Sequence, residues 1–544
     1  MNLLAIAALE AAVFFNANLH TAADQPKGAD AIVVEGGRIR YIGPSATALR
    51  RAPRGAQRID LRGATVVPGF SDAHAHLAGI GFRELEFDLE GTTSLAELQR
   101  RLAARAASRT APWITGRGWI ESRWQPAEFP TRQALDAVVA DRPVLLTRAD
   151  GHAAIANSRA LALAGVDAKT PDPAGGQILR DASGAPTGML IDGAVALVER
   201  LVPPPTDADE LRALELGAAR SVRLGWTQLQ IAGNTLAEVQ RLCTLYGQGR
   251  LRLRLYDAVG GPGEDAQALL AGRIARHPCG DRFTVRGIKL YMDGALGSRG
   301  AALLAPYSDA PQSQGLLLNT ESQLIPVLTA ALRQGIQVET HAIGDRANRL
   351  VLDLYERAFA AVPPAARAIA KPRWRIEHAQ VLDAADLPRF AALGVIASMQ
   401  PSHAISDLYF APARLGPARL KGAYAWQSLL ASHAVVAAGT DAPVERGDPI
   451  QEFYAATVRR SPDGFADADW HREERVSRAQ ALRMLTWAPA YAAFEEQERG
   501  TLEVGKLADF TVLSQDIMAV PDEQILATRI VMTVIGGGIA FDSQ

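Results

Sequence analysis

The chain has 544 residues, of which 48% are hydrophobic and 21% charged, and its formal net charge is -2. This composition is that of a soluble globular protein, and the lack of a basic stripe argues against nucleic acid as a partner. The two cysteines, Cys243 and Cys279, lie in different segments. That usage excludes a disulfide framework and a thiolate zinc cluster, and it favours a reducing compartment.

The N-terminal stretch MNLLAIAALEAAVFF resembles the apolar region of a secretory signal. No Lys or Arg precedes it, Glu10 interrupts it, and no clear small-x-small cleavage site follows it. No run in the chain reaches the ~18 apolar residues that a membrane span needs. We therefore predict a cytoplasmic protein without membrane contact, with an export signal as the alternative.

The two ends of the chain share a β-strand pattern. DAIVVEGGRIRYIGP and QRIDLRGATVVPG near the start, and GTLEVGKLADFTVLSQD and TRIVMTVIGGGIAFD near the end, read as short strands with glycine turns. Neither end has enough strands for its own core. We predict one composite β-sandwich from residues 1–66 and 496–544.

Between the ends, buried strand-like runs alternate with helical patterns. The eight runs are TVVPGFSDAHAH, GWTQLQIAG, RLRLYDAVG, VRGIKLYMDG, QVETHAIG, RWRIEHAQ, VIASMQP and AVVAAGTDAP. Eight such units predict an α/β fold, a (β/α)₈ TIM barrel, over residues 67–495. The distance from the first run to the second exceeds one helix, so residues 81–206 are predicted to form an insertion over the barrel mouth.

Polar residues stand near the ends of several of these runs. In a strand, His74 and His76 of FSDAHAHL point to the same side. One buried histidine is more often a hydrogen-bonded core residue than a ligand, but matching strand ends bring further donors to the same mouth. These are Lys289, His341, His378 and Asp441. The set predicts a metal site.

The motifs PGFSDAHAH, GRGW, RADGH, GIKLYMDGALGSRGA, THAIGDRA, RIEHAQ, GTDAP and VGKLADFTVL resemble the amidohydrolase superfamily, in its YtcJ-like or amidohydrolase-3 branch. The resemblance covers nearly the whole chain and implies two divalent ions, usually Zn²⁺. His74, His76 and Asp441 would hold the more buried ion, and His341 and His378 the more exposed one. Lys289 would be carboxylated and bridge them; a free amine in a one-metal site is the alternative.

The resemblance also implies a mechanism. A metal-activated hydroxide would attack the substrate carbonyl, with Asp441 as general acid and base. We predict a metal-dependent hydrolase that cleaves the C–N bond of an N-acyl or N-formyl amide. A deaminase, a lactone or ester hydrolase, and a non-catalytic ligand-binding member are the alternatives; the lack of Glu after His341 and the presence of Lys289 count against the deaminase.

Six further residues are candidates for contact with a small-molecule substrate. They are Trp119, His152, Asp293, Arg299, Gln400 and His403. By their positions on the strands, Asp293, Arg299 and Gln400 are expected near the mouth, where they would contact metal or substrate, or the residues that do. The alternatives are a core aromatic for Trp119, hydrogen-bonded loop histidines for His152 and His403, and a structural ion pair for Arg299. A homodimer is plausible, although no motif indicates one.

Overall fold

The structure is a computed structural model that describes residues 11–23, 27–108, 112–121, 124–148, 153–173, 176–462, 464 and 470–543. The chain forms two compact units, residues 1–77 with 218–544, and residues 78–217. The larger unit opens with the elements β1 Ala11–Phe15, β2 Asn18–Leu19, β3 Ala31–Glu35, β4 Arg38–Gly43, α1 Ser45–Arg51, β5 Gln57–Asp60, β6 Thr65–Pro68 and β7 Phe70–Ala75.

The smaller unit, residues 78–217, contains the stretch 81–206 that the sequence analysis treats as an insertion. Its elements, two of which extend past its limits, are α2 Leu77–Leu85, β8 Phe87–Asp88, α3 Leu95–Ser108, β9 Ile114–Trp119, α4 Arg132–Asp136, β10 Val144–Arg148, β11 Ala153–Ala156, α5 Ser158–Ala164, β12 Gly176–Arg180, β13 Pro186–Asp192, α6 Ala196–Glu199 and α7 Asp207–Arg223. The six strands form one mixed sheet in the order β12-β13-β11-β10-β9-β8. Leu98 and Leu102 of α3 are buried against this sheet together with Trp119 and Trp124, which gives the unit its own core.

The larger unit then alternates strands and helices. Its elements are β14 Trp226–Asn234, α8 Leu236–Gly247, β15 Arg254–Gly260, α9 Glu264–Leu270, β16 Phe283–Tyr291, α10 Glu321–Gln334, β17 Gln337–Ala342, α11 Asp345–Ala361, β18 Arg375–His378, α12 Leu387–Leu393, β19 Ile396–Met399, α13 Pro401–Ser406, α14 Ala411–Leu420, α15 Trp426–Ala431, β20 Val435–Ala438, α16 Pro449–Val458, α17 Arg478–Met484 and α18 Trp487–Ala492. Local capping sets several helix starts. In α8, for example, Thr235 and Glu238 form a capping box.

The eight predicted runs form one parallel sheet, in the order β20-β19-β18-β17-β16-β15-β14-β7. A parallel bridge between Ala75 and Ala442 joins its first and last members. The predicted eight-stranded barrel is therefore confirmed. Parallel strands place all their carboxyl ends at one mouth, so residues at those ends meet although they are far apart in sequence.

The chain closes with β21 Phe510–Leu513, β22 Ile530–Ile535 and β23 Gly538–Asp542. These strands complete a sheet in the order β2-β6-β21-β22-β23, and a second sheet has the order β4-β3-β1-β5. Phe14 and Val34 from one sheet and Val66, Phe510 and Val534 from the other share one buried cluster. The predicted sheet from both termini is confirmed.

Two glycine pairs form the hairpin turns that the sequence indicated. Gly36 and Gly37 have φ values of +57° and +75°, and Gly536 and Gly537 have the same two values. Two consecutive positive φ angles define the tight turn that matches strand twist, and glycine adopts them without strain.

One expectation changes with the structure. Cys243, in α8, and Cys279, before β16, form a disulfide with Cα atoms 5.3 Å apart, because the helix after β14 runs beside the segment that leads into β16. Cysteine usage therefore no longer supports a reducing compartment. The apolar residues Ala11–Phe15 form a strand of the sandwich, within the range predicted for it, while residues 1–10 lie outside the described residues. Among the described residues, no helix combines the length and apolarity needed to cross a bilayer.

Candidate metal centre

The six predicted ligands lie at the carboxyl ends of barrel strands. His74, Lys289, His341 and His378 belong to β7, β16, β17 and β18, while His76 directly follows β7 and Asp441 lies in the segment after β20. The backbone fastens the first and last of these segments together. The Asp441 N–H donates to His74 O at 2.7 Å, and the His76 N–H donates to Ala442 O at 2.8 Å.

Near the candidate ligands, the backbone has positive φ angles at two residues and a close approach to another segment at a third. His378 and Asp441 have φ values of +74° and +56°, a region that costs non-glycine residues of order 1–3 kcal/mol and is often found at functional sites. At Gly439, an added Cβ would lie 2.5 Å from the backbone nitrogen of His74. Close approach of the two segments therefore requires glycine there.

A first group of candidate ligands consists of His74, His76 and Asp441. Their ligand atoms all lie within 4.8 Å of one another. Asp441 Oδ1 is 3.0 Å from His76 Nε2 and 3.5 Å from His74 Nε2. Two imidazoles and a carboxylate converging in this way match the donor set that divalent zinc binds.

A second group consists of His378, His403 and Asp441, whose ligand atoms also lie within 4.8 Å of one another. The His378 and His403 rings stack with centroids 5.9 Å apart. The ring centroid of His341 is 4.5 Å from that of His378, so these rings are neighbours as predicted. Among the described residues, however, it is His403 that joins His378 in a tight ligand group.

Lys289 is fully buried beside the first group. Its Nζ lies 3.2 Å from His74 Nε2, and the residue is 1% exposed. Burial lowers the pKa of Lys289, because a low-dielectric environment disfavours the ammonium form. The neutral amine is the form that can react with CO₂ or approach a cation.

The histidines are also biased toward the neutral form that binds metals. Burial lowers the pKa of His74 to about 4 and that of His341 to about 3, and it lowers the pKa of His378 well below its usual value. Burial alone would raise the pKa of Asp441, but its contact with His76 and the nearby imidazoles hold that pKa well below its ordinary value. An ionised carboxylate among neutral imidazoles fits a divalent ion.

Sequence reasoning missed two carboxylates that support the ligands. Glu377 Oε2 lies 2.5 Å from His74 Nδ1. Asp72 accepts the N–H groups of His74 and Thr440 at 3.1 and 2.9 Å, tying the end of β7 to the segment after β20. The sequence contained one signal for Glu377. It lies two residues after Arg375 on β18, so the two charged side chains point to the same face of the strand.

Asp293 and Gln400, which were predicted near the mouth, lie beside candidate ligands. Asp293 is 1% exposed and accepts backbone N–H groups from Ala302, Ile343 and Gly344. Its carboxylate therefore holds two mouth loops together and lies 3.5 Å from His341 Nε2. Gln400 Oε1 lies 2.8 Å from His378 Nδ1, so this amide orients a ligand.

The remaining candidates for substrate contact that the structure describes do not form one group. Arg299 pairs with Asp309 at 2.9 Å, which is the ion-pair alternative left open by the sequence. His403 remains at the centre: its Nε2 is buried without a hydrogen-bond partner, 3.9 Å from Asp441 Oδ2 and 3.9 Å from Glu445 Oε1. Trp119 is fully buried in the core of the insertion unit and donates its indole N–H to Leu146 O, which matches the core-aromatic alternative. His152 lies outside the described residues.

Comparison with known proteins agrees with this geometry. A family model described as the amidohydrolase family matches residues 57–541. YtcJ of Bacillus subtilis, whose name assigns it only provisionally to the amidohydrolases, is 31% identical over 98% of this chain and 100% of its own. The N-substituted formamide deformylase of Arthrobacter pascens is 28% identical over 97% of this chain and 98% of its own. A solved structure from Pyrococcus furiosus, described as an uncharacterised metal-dependent hydrolase, has a TM-score of 0.75 and 29% identity, covering 94% of this chain and 100% of its own.

Proposed function

We propose that this chain, which belongs to the amidohydrolase family, is a metal-dependent hydrolase that cleaves the C–N bond of an N-acyl or N-formyl amide. The observation that carries the proposal is the convergence of His74, His76 and Asp441 within 4.8 Å at the barrel mouth. Similarity to a formamide deformylase over nearly the full length of both chains supports the bond type.

The residues fit two divalent cations, Zn²⁺ being the first choice. His74, His76 and Asp441 would hold one, and His378 with His341 would hold the other, next to Lys289 and His403. Divalent ions supply Lewis-acid polarisation of a carbonyl and lower the pKa of water to about 7. The neutral imidazoles keep the local charge of the protein low, so cations are not repelled.

Lys289 would serve as a carboxylated bridge between the two positions. Its neutral amine adds to CO₂, forming an N–C bond, and the displaced proton leaves to solvent. The resulting carbamate replaces a buried amine by an anion with two oxygens. Burial that lowers the pKa of Lys289 favours the amine that this reaction needs.

Asp441 would move the proton. Its Oδ1 faces the first pair of histidines, and its Oδ2 faces His403. It would accept the proton of the attacking water and deliver it to the leaving nitrogen, a role worth typically ~10²–10⁴-fold.

A ring deaminase is less well supported. Deaminases of this superfamily often have a Glu soon after the histidine that corresponds to His341, whereas His341 is followed by the sequence AIGDRA, and Lys289 Nζ lies buried 3.2 Å from His74 Nε2. Lactones and esters remain alternative substrates, since their hydrolysis uses the same residues.

The test is turnover by metal-replete protein of a panel containing N-acyl amino acids, N-substituted formamides, lactones and aminopurines. We expect hydrolysis of amides or formamides that is lost on chelation and restored by Zn²⁺. Turnover of aminopurines alone would assign the deaminase reaction. Activity that is indifferent to a strong chelator, with no metal in the protein, would refute the proposal.

A further inference from the structure

Tyr291 ends β16 beside two of the candidate ligands. The rest of this strand is buried, and Tyr291 is its first residue with solvent access. It lies two residues after Lys289, so the two side chains point to the same side of the strand. Lys289 Nζ is 5.2 Å from the centre of the Tyr291 ring, and the ring centroids of Tyr291 and His341 are 5.6 Å apart. The phenol is therefore part of the wall around the candidate metal centre.

Gly233 leaves space for the hydroxyl of Tyr291. This glycine lies in β14, which is separated from β16 by β15, and the pairing of β14 with β15 shifts register there. A Cβ at Gly233 would lie 3.3 Å from Tyr291 Oη and 3.7 Å from Lys289 Cγ. The phenol thus reaches past β15, and its hydroxyl ends next to a residue without a side chain. Irregular strand ends of this kind are common next to active sites.

The hydroxyl of Tyr291 has no hydrogen bond to any of the described residues, although the backbone oxygen of the same residue accepts the Asn319 amide at 2.8 Å. Other tyrosines of the barrel have a partner. Tyr307, on the loop after β16, donates to Ala301 O at 2.7 Å. A phenol can donate one hydrogen bond, and buried tyrosines usually make it. The Tyr291 hydroxyl is therefore a donor that a bound molecule can use.

Tyr291 and Asp441 stand on opposite sides of the mouth. In the closed barrel, β16 is four strands from β20 in either direction. A carbonyl group held between them would have its carbon near the water that Asp441 deprotonates and its oxygen near the Tyr291 hydroxyl. Negative charge grows on that oxygen as the tetrahedral intermediate forms, and a fixed hydrogen-bond donor stabilises such charge.

We propose that Tyr291 is a catalytic residue whose hydroxyl donates a hydrogen bond to the carbonyl oxygen of the substrate and stabilises the tetrahedral oxyanion. The inference rests on the proposed function for the reaction itself. The hydroxyl keeps its proton throughout, and no covalent bond to Tyr291 forms or breaks. The hydrogen bond is stronger in the tetrahedral state than in the bound amide, so it acts on the rate more than on substrate binding.

The first measurement uses Tyr291→Phe, which keeps the aromatic ring and removes only the hydroxyl. On the amide or formamide that the parent hydrolyses, we expect kcat of the zinc-loaded protein to fall ~10²–10³-fold, with a much smaller change in KM. Tyr491→Phe is the matched control. The centre of the Tyr491 ring lies 3.8 Å from Cζ of Arg373, which precedes β18 and so lies at the end of the barrel opposite the mouth. The kcat of this control should equal that of the parent.

The second measurement uses methylphosphonate, a tetrahedral anion that stands in for the intermediate. In crystals of the zinc-loaded parent soaked with methylphosphonate, Tyr291 Oη should lie ~2.5–3.0 Å from a phosphonate oxygen. In calorimetric titrations, Tyr291→Phe should bind methylphosphonate ~10–100-fold more weakly than the parent, the usual worth of a hydrogen bond to a charged group. Tyr491→Phe should bind it like the parent.

Three results would overturn the proposal. The first is a fully zinc-loaded Tyr291→Phe whose kcat stays within about tenfold of the parent. The second is equal affinity of the two proteins for methylphosphonate. The third needs no variant: a bound methylphosphonate whose oxygens all lie beyond hydrogen-bond distance of Tyr291 Oη. A parent that hydrolyses no amide or formamide refutes the proposed function instead, and methylphosphonate binding then decides by itself whether Tyr291 donates to a tetrahedral anion.

Discussion

Replacing Asp441 by Asn tests the centre of the proposed chemistry. The amide has almost the same shape, and the backbone contacts of residue 441 with His74 are unaffected because they use main-chain atoms. The substitution changes the charge and the basicity of the side chain. In the parent, Asp441 Oδ1 lies 3.0 Å from His76 Nε2 and 3.5 Å from His74 Nε2. The amide of Asn cannot take up a proton at this position. The fold should therefore survive.

The expected loss follows from the two roles of the carboxylate. General acid–base transfer contributes typically ~10²–10⁴-fold, which is ~3–5 kcal/mol of barrier at about 1.36 kcal/mol per tenfold. One of three donors in the first group is also weakened, so the ion should bind less tightly. Measuring kcat at saturating Zn²⁺, with metal content determined on the same sample, separates the loss of proton transfer from the loss of metal.

Glu445→Gln is the matched control. Glu445 is a second carboxylate near the centre, 3.9 Å from His403 Nε2, but it lies outside both ligand groups found among the described residues. We expect its kcat to stay close to that of the parent. If Asp441→Asn carries its full metal complement and retains kcat within about tenfold of the parent, well short of the usual range for acid–base transfer, the proton transfer belongs to another residue.

Three further perturbations have defined outcomes. Lys289→Ala should lose activity and the less tightly held ion, and acetate or propionate with added Zn²⁺ should restore part of both; a bare ammonium at Lys289 in an active metal-loaded crystal would contradict the bridge. His341 has its pKa lowered by burial from 6.5 to about 3, so the unfolded state binds more protons between these values and stability of the metal-free protein is lost as pH falls below 6.5. At about pH 5 the free energy of unfolding should be lower by about 2 kcal/mol for this reason. Urea unfolding at about pH 8 and about pH 5 should show this additional loss in the parent but not in His341→Gln. Equal losses of unfolding free energy in the two proteins would refute the prediction. Gly439→Ala adds a Cβ 2.5 Å from the His74 nitrogen, so it should lower stability by ~1–3 kcal/mol and weaken Zn²⁺ binding, whereas Gly247→Ala, at the end of α8 with open space around its Cβ position, should do neither.

The barrel, and the candidate ligands at its mouth, could be predicted because both have a local signature. Each barrel strand is a short apolar run, and the sequence alone groups His74, His341 and Asp441 through strand parity and their positions at strand ends. The terminal sandwich could be predicted from the same strand patterns and the glycine turns, since neither end has enough strands for its own core.

The supporting residues have no such signature. Glu377 and Asp72 are single carboxylates on buried strands, and only the three-dimensional register shows that one meets His74 Nδ1 and the other meets two backbone N–H groups. Asp293 was predicted near the mouth from its position at a strand end, but the sequence did not indicate that the loop folds back so that three backbone N–H groups donate to it. The Cys243–Cys279 pairing depends on how a helix packs beside the next strand, which sequence spacing does not reveal.

The sheet shared by the two ends has a consequence for synthesis of the protein. β6 pairs with β21 in a register that sets Pro68 opposite Phe510, so the partner of an early strand is translated near the end. At ~5–20 residues per second the ribosome needs roughly half a minute to two minutes for a chain of this length. Throughout that interval the apolar faces carrying Phe14 and Val66 lack the cover they have in the finished sandwich. We expect the nascent chain to be a client of chaperones that shield N-terminal strands, and truncation before residue 510 to yield aggregates rather than a soluble barrel.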